Sequence, residues 1–287
     1  MKRCLSCGAT FQDIWPCPKC SYSPQLIEGF FSFAPELATG DNHAPVDFQT
    51  LAGVEAGNFW FRARNRLIVW AIQHYFAHAT SILEIGCGTG FVLSGIHRAF
   101  PNLALSGSEV ACEGLAFAAR RVPGVSLFQM DARRIPFSDE FDVVGAFDVI
   151  EHIHEDEQVL GEMYRSVRNG GGIIITVPQH SFLWSRVDEI AGHVRRYSAS
   201  DLTEKITRAG FHTVRTTSFV SILLPLMMAS RLATSKATGR QVANSEFGLG
   251  SLSNMVLEKL LDIERGLICC GISFPVGGSL LAVAYKI

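Results

Sequence analysis

The segment Ser81-Ile-Leu-Glu-Ile-Gly-Cys-Gly-Thr-Gly90 joins a short apolar run to three glycines at alternate positions. The run has the length and composition of a buried strand, and Phe91 opens a stretch typical of an amphipathic helix. Glycines in such a strand-to-helix turn let the backbone bend sharply and approach a ligand at the helix N-terminus. Because position 91 is Phe, the segment departs from the Gly-x-Gly-x-x-Gly pattern of dinucleotide sites. It therefore predicts a ligand other than a dinucleotide pyrophosphate.

Short β-branched runs and amphipathic helices alternate from residue 81 onward, which is the pattern of a parallel α/β sheet. Strands are predicted near 81–86, 103–108, 125–129, 141–147, 172–178, 211–219 and 279–286, and helices near 90–100, 112–121, 154–168 and 200–209. Glycines 170–172 are interpreted as the C-terminal stop of the third of these helices. The chain is divided into a metal-binding module (1–24), a connector with a helical cap (25–80), the sheet core (81–218), an apolar helical insert or lid (219–278) and the last strand (279–287).

Two Cys-x-x-Cys pairs lie near the start of the chain, Cys4 with Cys7 and Cys17 with Cys20. Each pair places two thiolates on one tight turn, and four soft sulfur ligands select zinc in a closed, structural site. Redox iron is the alternative. The unit resembles a zinc ribbon or a rubredoxin-like module, and we expect it to pack separately from the sheet.

The composition, with 48% hydrophobic and 18% charged residues, is that of a globular protein and excludes a disordered or fibrous class. The formal net charge of −2, from 25 basic and 27 acidic residues, argues against a protein that coats nucleic acid. The first residues carry no apolar run and the other four cysteines are scattered, so we expect no signal peptide and a cytoplasmic protein. Residues 266–285 lack a charge, but Pro275 and four glycines predict a turn and a strand rather than a membrane-spanning helix.

The string Glu84-x-Gly86-x-Gly88-x-Gly90 resembles the first motif of class I S-adenosylmethionine (SAM)-dependent methyltransferases. Later segments resemble further motifs of that family in the same order: Glu109 after the second strand, Gln129-Met-Asp-Ala132 after the third, Phe141 to Phe147 as the fourth strand and Gly170 to Pro178 as the fifth. The resemblance covers residues 50–287. It implies a Rossmann-like, mostly parallel sheet of seven strands with helices on both faces and an antiparallel last strand.

The same resemblance implies a SAM site built from several strand ends. Glu109 would bind both ribose hydroxyls, Asp131 would lie at the adenine amine, and Phe147 would lie beside the cofactor. The implied cofactor-binding set is Glu84, Gly86, Gly88, Gly90, Glu109, Asp131, Ala132 and Phe147.

The methyl acceptor is expected beyond the carboxyl ends of the strands, at residues 148–154 and 179–197. The second segment contains Gly192-His-Val-Arg-Arg-Tyr197 and resembles a bacterial subgroup that carries Gly-His-x-Arg-Arg-Tyr. Methyl transfer to a hydroxyl needs a base, and His193 and His152 are the candidates. Arg196 and Tyr197 complete the candidate catalytic set, with Tyr197 expected to wall the acceptor from water.

Asp148, Glu151 and His152 also resemble a divalent-metal arrangement of quinone O-methyltransferases, and simple ordering of the loop is the alternative. The insert contains a Leu- and Met-rich run at 219–228 and an amphipathic stretch at 252–267. We interpret it as a lid that packs on the core and suits an apolar acceptor or contact with a membrane surface.

The sequence therefore favours a SAM-dependent methyltransferase that acts at oxygen on a small-molecule acceptor or on a lipid- or sugar-linked one. A zinc-ribbon RNA methyltransferase is one alternative, against which the net charge argues. A non-catalytic SAM-binding scaffold whose ribbon docks a partner protein is the other. The sequence predicts neither the identity of the acceptor nor the oligomeric state.

Overall fold

The structure is a computed structural model that describes residues 1–12, 14–38, 47–234 and 250–287. Before the core come β1 (Lys2–Arg3), β2 (Thr10–Phe11), β3 (Gln25–Ile27), β4 (Phe30–Ser32), α1 (Phe48–Val54) and α2 (Phe59–Tyr75). The core then contains β5 (Ser81–Ile85), α3 (Phe91–Ala99), β6 (Ala104–Glu109), α4 (Cys112–Arg121), β7 (Ser126–Gln129), β8 (Phe141–Phe147), α5 (Asp156–Ser166), β9 (Val167–Pro178), α6 (Arg186–Ala191), α7 (Ala199–Arg208) and β10 (His212–Phe219). The chain ends with α8 (Leu224–Thr234), α9 (Ser251–Cys269) and β11 (Ser279–Tyr285).

Nine strands form the main sheet in the order β10-β11-β9-β8-β5-β6-β7-β4-β3. The pairs from β9 through to β4 are parallel, whereas β11 runs antiparallel to both β9 and β10. The predicted seven-stranded, mostly parallel sheet with an antiparallel last strand is thus confirmed. It is two strands wider than predicted, because the hairpin β3–β4 within the expected connector pairs with the edge of β7.

The side chain of Gln129, at the end of β7, joins this hairpin to the sheet. The buried amide accepts a hydrogen bond from Ser32 Oγ at 2.7 Å and donates to the carbonyl oxygens of Ala34 and Val110 at 2.9 and 2.8 Å. A buried amide left unpaired would cost about 1–3 kcal/mol, so these contacts favour one position for the hairpin. The hydrophobic pattern of the connector gives no sign of such a polar contact, which is why the two strands were missed.

Helices cover both faces of the sheet, as predicted. On one face α5 and α7 pack against the strands through Val159, Leu160, Met163, Leu202 and Ile206. On the other face α2, α3 and α9 contribute Ile68, Ile72, Ile96, Leu261 and Ile268. Within a helix these residues are one, three, four or seven positions apart, so they lie on one face of it. Burial of each of these side chains stabilises the fold by about 1.5–3 kcal/mol.

Glycines 170–172 lie inside β9, and their interpretation as a helix stop is wrong. The helix α5 ends at Ser166, and β9 follows at once. A Cβ at Gly171 would lie 2.3 Å from the carbonyl oxygen of Asp142, and one at Gly172 would lie 2.2 Å from that of Ala284. Glycine is therefore needed there because the neighbouring strands approach the backbone of β9 closely.

The four-cysteine module packs on the sheet domain, so the expectation of a separately packed unit is also wrong. The rings of Trp15 and Phe33 have centroids 5.5 Å apart, and Leu5 and Trp15 pack against the same core as α5 and α7. Arg3 pairs with Glu162 of α5. Loss of the module would therefore expose part of the main core.

The predicted insert contributes α8 and α9, while its residues 235–249 lie outside the described residues. Ion pairs hold α9 on α2, with Arg66 Nη1 2.8 Å from Glu258 and Arg66 Nε 3.0 Å from Asp262. The charge-free segment 266–285 forms a helix end, a turn and a strand, as predicted. Among the described helices, none has the length and apolar character needed to cross a membrane.

Candidate functional site

The glycine loop between β5 and α3 has the conformation that its sequence predicts. Gly86, Gly88 and Gly90 have φ angles of +63°, +51° and +76°, in the left-handed region that favours glycine. A Cβ at Gly90 would lie 2.9 Å from the Cα of Ala118, whereas one at Gly88 would meet nothing within 4 Å. Gly90 thus allows α3 and α4 to pack closely, and Gly88 leaves open backbone at the helix N-terminus for a ligand.

Glu109 ends β6 directly beside this loop. Its Oε2 accepts a hydrogen bond from the Gly88 N–H at 3.0 Å, and its Oε1 accepts one from the Val110 N–H at 2.7 Å. The two bonds fix a half-buried carboxylate at the carboxyl end of the strand next to the loop. This geometry suits the recognition of two vicinal hydroxyls, as in a ribose.

Glu84 lies beneath the loop, in β5, and is only 2% exposed. Burial raises the pKa of its carboxyl well above the ordinary value. Its Oε2 makes no hydrogen bond within the part of the chain that the structure describes. SAM carries an ammonium group, which is the kind of donor that this carboxyl lacks, so the residue fits the implied cofactor.

The three remaining residues of the implied cofactor set have other surroundings. Asp131 forms an ion pair with Arg133, whose Nη2 lies 2.8 Å from Oδ2 of Asp131. The place of Asp131 at the adenine stays a prediction. Ala132 is buried in the core. The ring of Phe147 packs in the core and fills the space that a Cβ of Gly145 would need. We therefore revise the role of Phe147 from cofactor contact to support of β8.

The loop after β8 lies against the glycine loop. A Cβ at Gly86 would lie 2.6 Å from Cγ2 of Val149, so the two loops are in direct contact. Asp148 has a φ of +58°, which is strained for an aspartate and common at functional sites. Its carboxylate accepts hydrogen bonds from Arg64 and, at 3.1 Å, from Thr176 Oγ1.

Arg64 is a site residue that the sequence analysis did not single out. It extends from α2, and its guanidinium lies 4.4 Å from the ring centroid of Trp60. Its side chain is buried beside Asp148. The run Phe59-Trp-Phe-Arg-Ala-Arg64 was visible in the sequence, but only the fold brings it to the edge where the strands end.

His193 forms a dyad with Asp188, a second residue that the sequence analysis gave no role. Nδ1 of His193 lies 2.9 Å from Oδ1 of Asp188. Asp188 is fully buried and also accepts hydrogen bonds from Arg196 Nε at 2.7 Å and from the Ser185 N–H at 2.9 Å. Although burial opposes ionisation, the hydrogen bonds from His193 and Arg196 hold the pKa of Asp188 well below its ordinary value. An ionised Asp188 favours a proton on Nδ1 and leaves Nε2 of His193 as an acceptor.

Two predicted catalytic residues support the loop and do not face the acceptor region. Arg196 is nearly fully buried, and besides Asp188 it donates to the carbonyl oxygen of Gln179 at 3.0 Å. Tyr197 is fully buried, its hydroxyl donates to Asp156 at 2.7 Å, and burial raises its pKa. Because these polar groups are engaged within the protein, we revise both roles from acceptor contact to support.

Glu151, His152 and His193 come together at the same edge of the sheet. One ligand atom from each lies within 4.8 Å of the others. Burial, with the charge of Asp148, raises the pKa of Glu151 well above its ordinary value, and burial with the neighbouring His193 lowers the pKa of His152 to about 4. Neutral imidazoles and a carboxyl can bind a polar acceptor or a divalent cation. Asp148, which the sequence grouped with Glu151 and His152, is instead held by Arg64, and His193 is the third member of the cluster; a divalent cation there stays a prediction.

Buried polar atoms without a partner gather where β5, β8 and β9 end. Within the described ranges they include atoms of Glu84, Glu151, Gln179 and His180. Each such group costs about 1–3 kcal/mol unless a ligand or water satisfies it. Gln179 and His180 directly follow β9, and neither was singled out from the sequence. This edge of the sheet therefore has the unmet hydrogen-bonding capacity of a binding site.

The four N-terminal cysteines form a second cluster, with all four sulfurs within 4.8 Å of one another. The Cys4–Cys20 and Cys7–Cys17 sulfur pairs are 3.6 and 3.8 Å apart. Sulfurs in a tetrahedral zinc site lie about 3.8 Å apart when each Zn–S bond is about 2.3 Å. Burial opposes ionisation of Cys17, but hydrogen bonds from the backbone N–H groups of Cys20 and Lys19 and from the side chains of Cys4 and Cys7 together lower its pKa to about 7. The donor set fits a structural zinc ion.

Comparison with known proteins matches residues 82–171 to the methyltransferase domain family. A probable S-adenosylmethionine-dependent methyltransferase of Mycolicibacterium smegmatis is 30% identical over 57% of this chain and 63% of its own length. A phosphatidylethanolamine N-methyltransferase of Cereibacter sphaeroides is 38% identical over 36% of this chain and 52% of its own. The solved structure of a SAM-dependent methyltransferase from Thermotoga maritima has a TM-score of 0.51 at 17% identity, covering 84% of this chain and 95% of that one. The chain spans about three-fifths of the first relative.

Proposed function

We propose that this chain, which carries a methyltransferase domain of the SAM-dependent class, transfers a methyl group to an oxygen atom of a small-molecule or lipid- or sugar-linked acceptor. The observation that carries the proposal is the contact between Gly86 and Val149. It places the glycine loop directly beside the loop after β8, at one edge of the sheet. On one side lies the glycine loop with Glu109, and on the other lies the Asp188–His193 dyad.

The residues of the glycine loop would bind and orient the cofactor. Gly88 offers open backbone at the N-terminus of α3, Glu109 offers a fixed carboxylate for the ribose, and Glu84 offers a buried carboxyl for the ammonium group. When bound, SAM would supply a methyl group on a positively charged sulfur: the acceptor oxygen would bond to the methyl carbon in line with the breaking carbon–sulfur bond, and S-adenosylhomocysteine would leave as a neutral thioether. Alignment of the two reactants supplies much of the rate increase in such a reaction.

The dyad would remove the proton of the acceptor hydroxyl. Nε2 of His193 accepts it as the oxygen–carbon bond forms, and Asp188 stabilises the resulting imidazolium through Nδ1. The neighbouring Trp184 and Phe182 are exposed apolar rings on the same loop, which suits an acceptor with an apolar part. A relative whose name states action on phosphatidylethanolamine supports a lipid-linked acceptor. The assignment to oxygen rests on the Asp188–His193 dyad, because a hydroxyl acceptor needs a base to remove its proton.

Radiolabelled SAM tests the proposal directly. The full chain is incubated with SAM labelled in its methyl group and a bacterial cell extract, which is then separated into organic-soluble, small-molecule, RNA and protein fractions. We expect label in the organic-soluble or small-molecule fraction, as an ether or ester by mass spectrometry. Label in RNA would support a zinc-ribbon RNA methyltransferase, and label on nitrogen would contradict the O-methylation. The absence of label despite SAM binding would indicate a non-catalytic scaffold.

Glu109→Ala should weaken SAM binding by about 2 kcal/mol, or roughly thirtyfold in Kd, because it removes charge-assisted hydrogen bonds to the ribose. Calorimetry measures the affinity, and circular dichroism checks the fold. Glu113→Ala, an exposed glutamate in the first turn of α4, is the matched control and should bind SAM normally. Equal affinities for the two variants would remove Glu109 from the cofactor site.

A further inference from the structure

Gln129 is fully buried at the end of β7, where it pairs in register with Glu109 at the end of β6. It opens the Gln129-Met-Asp-Ala132 segment, yet the proposed cofactor site gives it no role. Its amide nitrogen, Nε2, donates in two directions, to the carbonyl oxygen of Ala34 at 2.9 Å and to that of Val110 at 2.8 Å. Since Val110 directly follows Glu109, the amide joins the N-terminal hairpin to the strand end that carries the proposed ribose carboxylate.

The peptide groups after Glu109 are fixed by bonds to their carbonyl oxygens. That of Glu109 accepts a hydrogen bond from the Met130 N–H at 3.2 Å, and that of Val110 accepts the one from Gln129. Because a peptide group is planar, each bond also sets the direction of the N–H on the other side. Those two N–H groups, of Val110 and Ala111, both donate to Oε1 of Glu109, at 2.7 and 3.4 Å. The amide of Gln129 therefore helps to hold the Glu109 carboxylate in place.

The N-terminal part of the chain fixes this amide in turn. The amide oxygen, Oε1, accepts hydrogen bonds from Ser32 Oγ at 2.7 Å and from the Ala34 N–H at 3.2 Å. Its oxygen and both its hydrogens are then engaged, so the amide of Gln129 has one orientation. A further bond runs from the Cys112 N–H, at the start of α4, to the carbonyl oxygen of Ala38 at 3.2 Å. The backbone after Glu109 is thus held on the N-terminal segment at two points.

We propose that Gln129 is a positioning residue for the cofactor: it holds residues 109–112 so that the carboxylate of Glu109 already faces the ribose hydroxyls when SAM binds. Gln129 acts through Glu109 and makes no contact with SAM itself. A preorganised carboxylate raises the affinity, because the site is then ordered before the ligand binds. This inference rests on the proposed function, in which Glu109 binds the ribose.

Calorimetry on Gln129→Met tests the proposal in the full chain. Met has a similar length but can neither donate to Val110 nor hold the hairpin, so the Kd for SAM should rise about tenfold. In the Glu109→Ala background the same substitution should change Kd by less than about twofold, because a residue that acts through Glu109 has no effect once that carboxylate is gone. Ile206→Ala removes a fully buried side chain of α7, which packs on β10 and β11 at the opposite side of the sheet. It is the matched control for a loss of stability and should bind SAM normally.

Hydrogen exchange measured without SAM gives a second readout. The N–H groups of residues 110–112 should exchange at least about tenfold faster in Gln129→Met than in the wild type, whereas those of β9 should be unchanged. Ile206→Ala should leave residues 110–112 as they are in the wild type. If Gln129→Met does not fold, Ser32→Ala takes its place as the milder variant, since the Ala34 N–H still holds Oε1. It should raise the Kd for SAM about threefold, and again not in the Glu109→Ala background.

Unchanged SAM affinity in folded Gln129→Met, or in Ser32→Ala where it takes its place, would overturn the proposal. A loss of affinity that persists in full in the Glu109→Ala background would overturn it as well, because Gln129 would then act by another route. So would unchanged exchange at residues 110–112. A wild-type chain that binds no SAM would instead contradict the proposed function, and the exchange measurement would still decide whether Gln129 holds this segment.

Discussion

His193→Ala is expected to lower turnover of the labelled acceptor by about a hundredfold or more while the affinity for SAM stays unchanged. The expected loss is large because Nε2 of His193 is the proposed proton acceptor, and removal of a general base typically costs about a hundredfold or more in rate. The affinity should not change, since the glycine loop and Glu109 do not depend on this side chain. Initial rates at saturating SAM, together with calorimetry on the same samples, measure the two quantities.

Asp188→Asn should lower turnover as well, since it removes the charge that favours a proton on Nδ1 of His193. His212→Ala is the matched control, because His212 is an exposed histidine at the start of β10, away from the carboxyl ends of the parallel strands, and should retain wild-type turnover. Wild-type rates in the His193 variant would exclude it as the base and would leave the loop with the role of a lid. A shared loss of SAM binding would show that the substitution disturbs the fold rather than the chemistry.

Cys17→Ser is expected to reduce bound zinc from one ion per chain to none and to destabilise the whole protein. A module of about two dozen residues has little core of its own, so its folding should depend on the metal. Because Trp15 and Leu5 pack on the main core, their release should lower the free energy of unfolding by about 3 kcal/mol. Elemental analysis measures the ion, and denaturant titration measures the stability.

Cys270→Ser, which changes an exposed cysteine at the end of α9, serves as the control and should keep both the ion and the stability. Protein prepared without chelators that holds no metal would contradict the zinc site. Iron in place of zinc would indicate the rubredoxin-like alternative. A second ion that is lost in Glu151→Gln would place a divalent cation in the cluster with His152 and His193 and would contradict the role of His193 as a free base.

The positions of the seven core strands along the chain and the glycine loop could be predicted because they depend on local pattern. Apolar runs alternate with amphipathic helices from residue 81 onward, and the glycines at alternate positions mark the turn at residues 86–90, where the structure gives them positive φ. The sequence could also place Glu109 and His193 in the candidate site, because Glu109 ends a strand and His193 lies in a loop after a strand, and both positions are at the carboxyl edge of the sheet. Their partners Gly88 and Asp188 then followed from the fold.

Other roles could not be predicted because they depend on contacts distant in sequence. Whether an aromatic residue at a strand end or in a loop faces the core or the cleft is decided by what packs on it, and Phe147 and Tyr197 both face the core. Arg64 reaches Asp148 across 84 positions. Ser185 and Asp188 form a capping box, which the Ser-x-x-Asp spacing could have signalled, but that spacing alone does not show that Asp188 holds His193.

Calorimetric titration of the full chain with SAM, and separately with NAD, tests the central claim most directly. The account predicts a single SAM site per chain with micromolar affinity, and no heat of binding for NAD, because Phe91 stands where a dinucleotide site needs glycine. The measurement needs no knowledge of the acceptor, and Glu109→Ala provides an internal check on where SAM binds. Binding of NAD without binding of SAM would contradict the account.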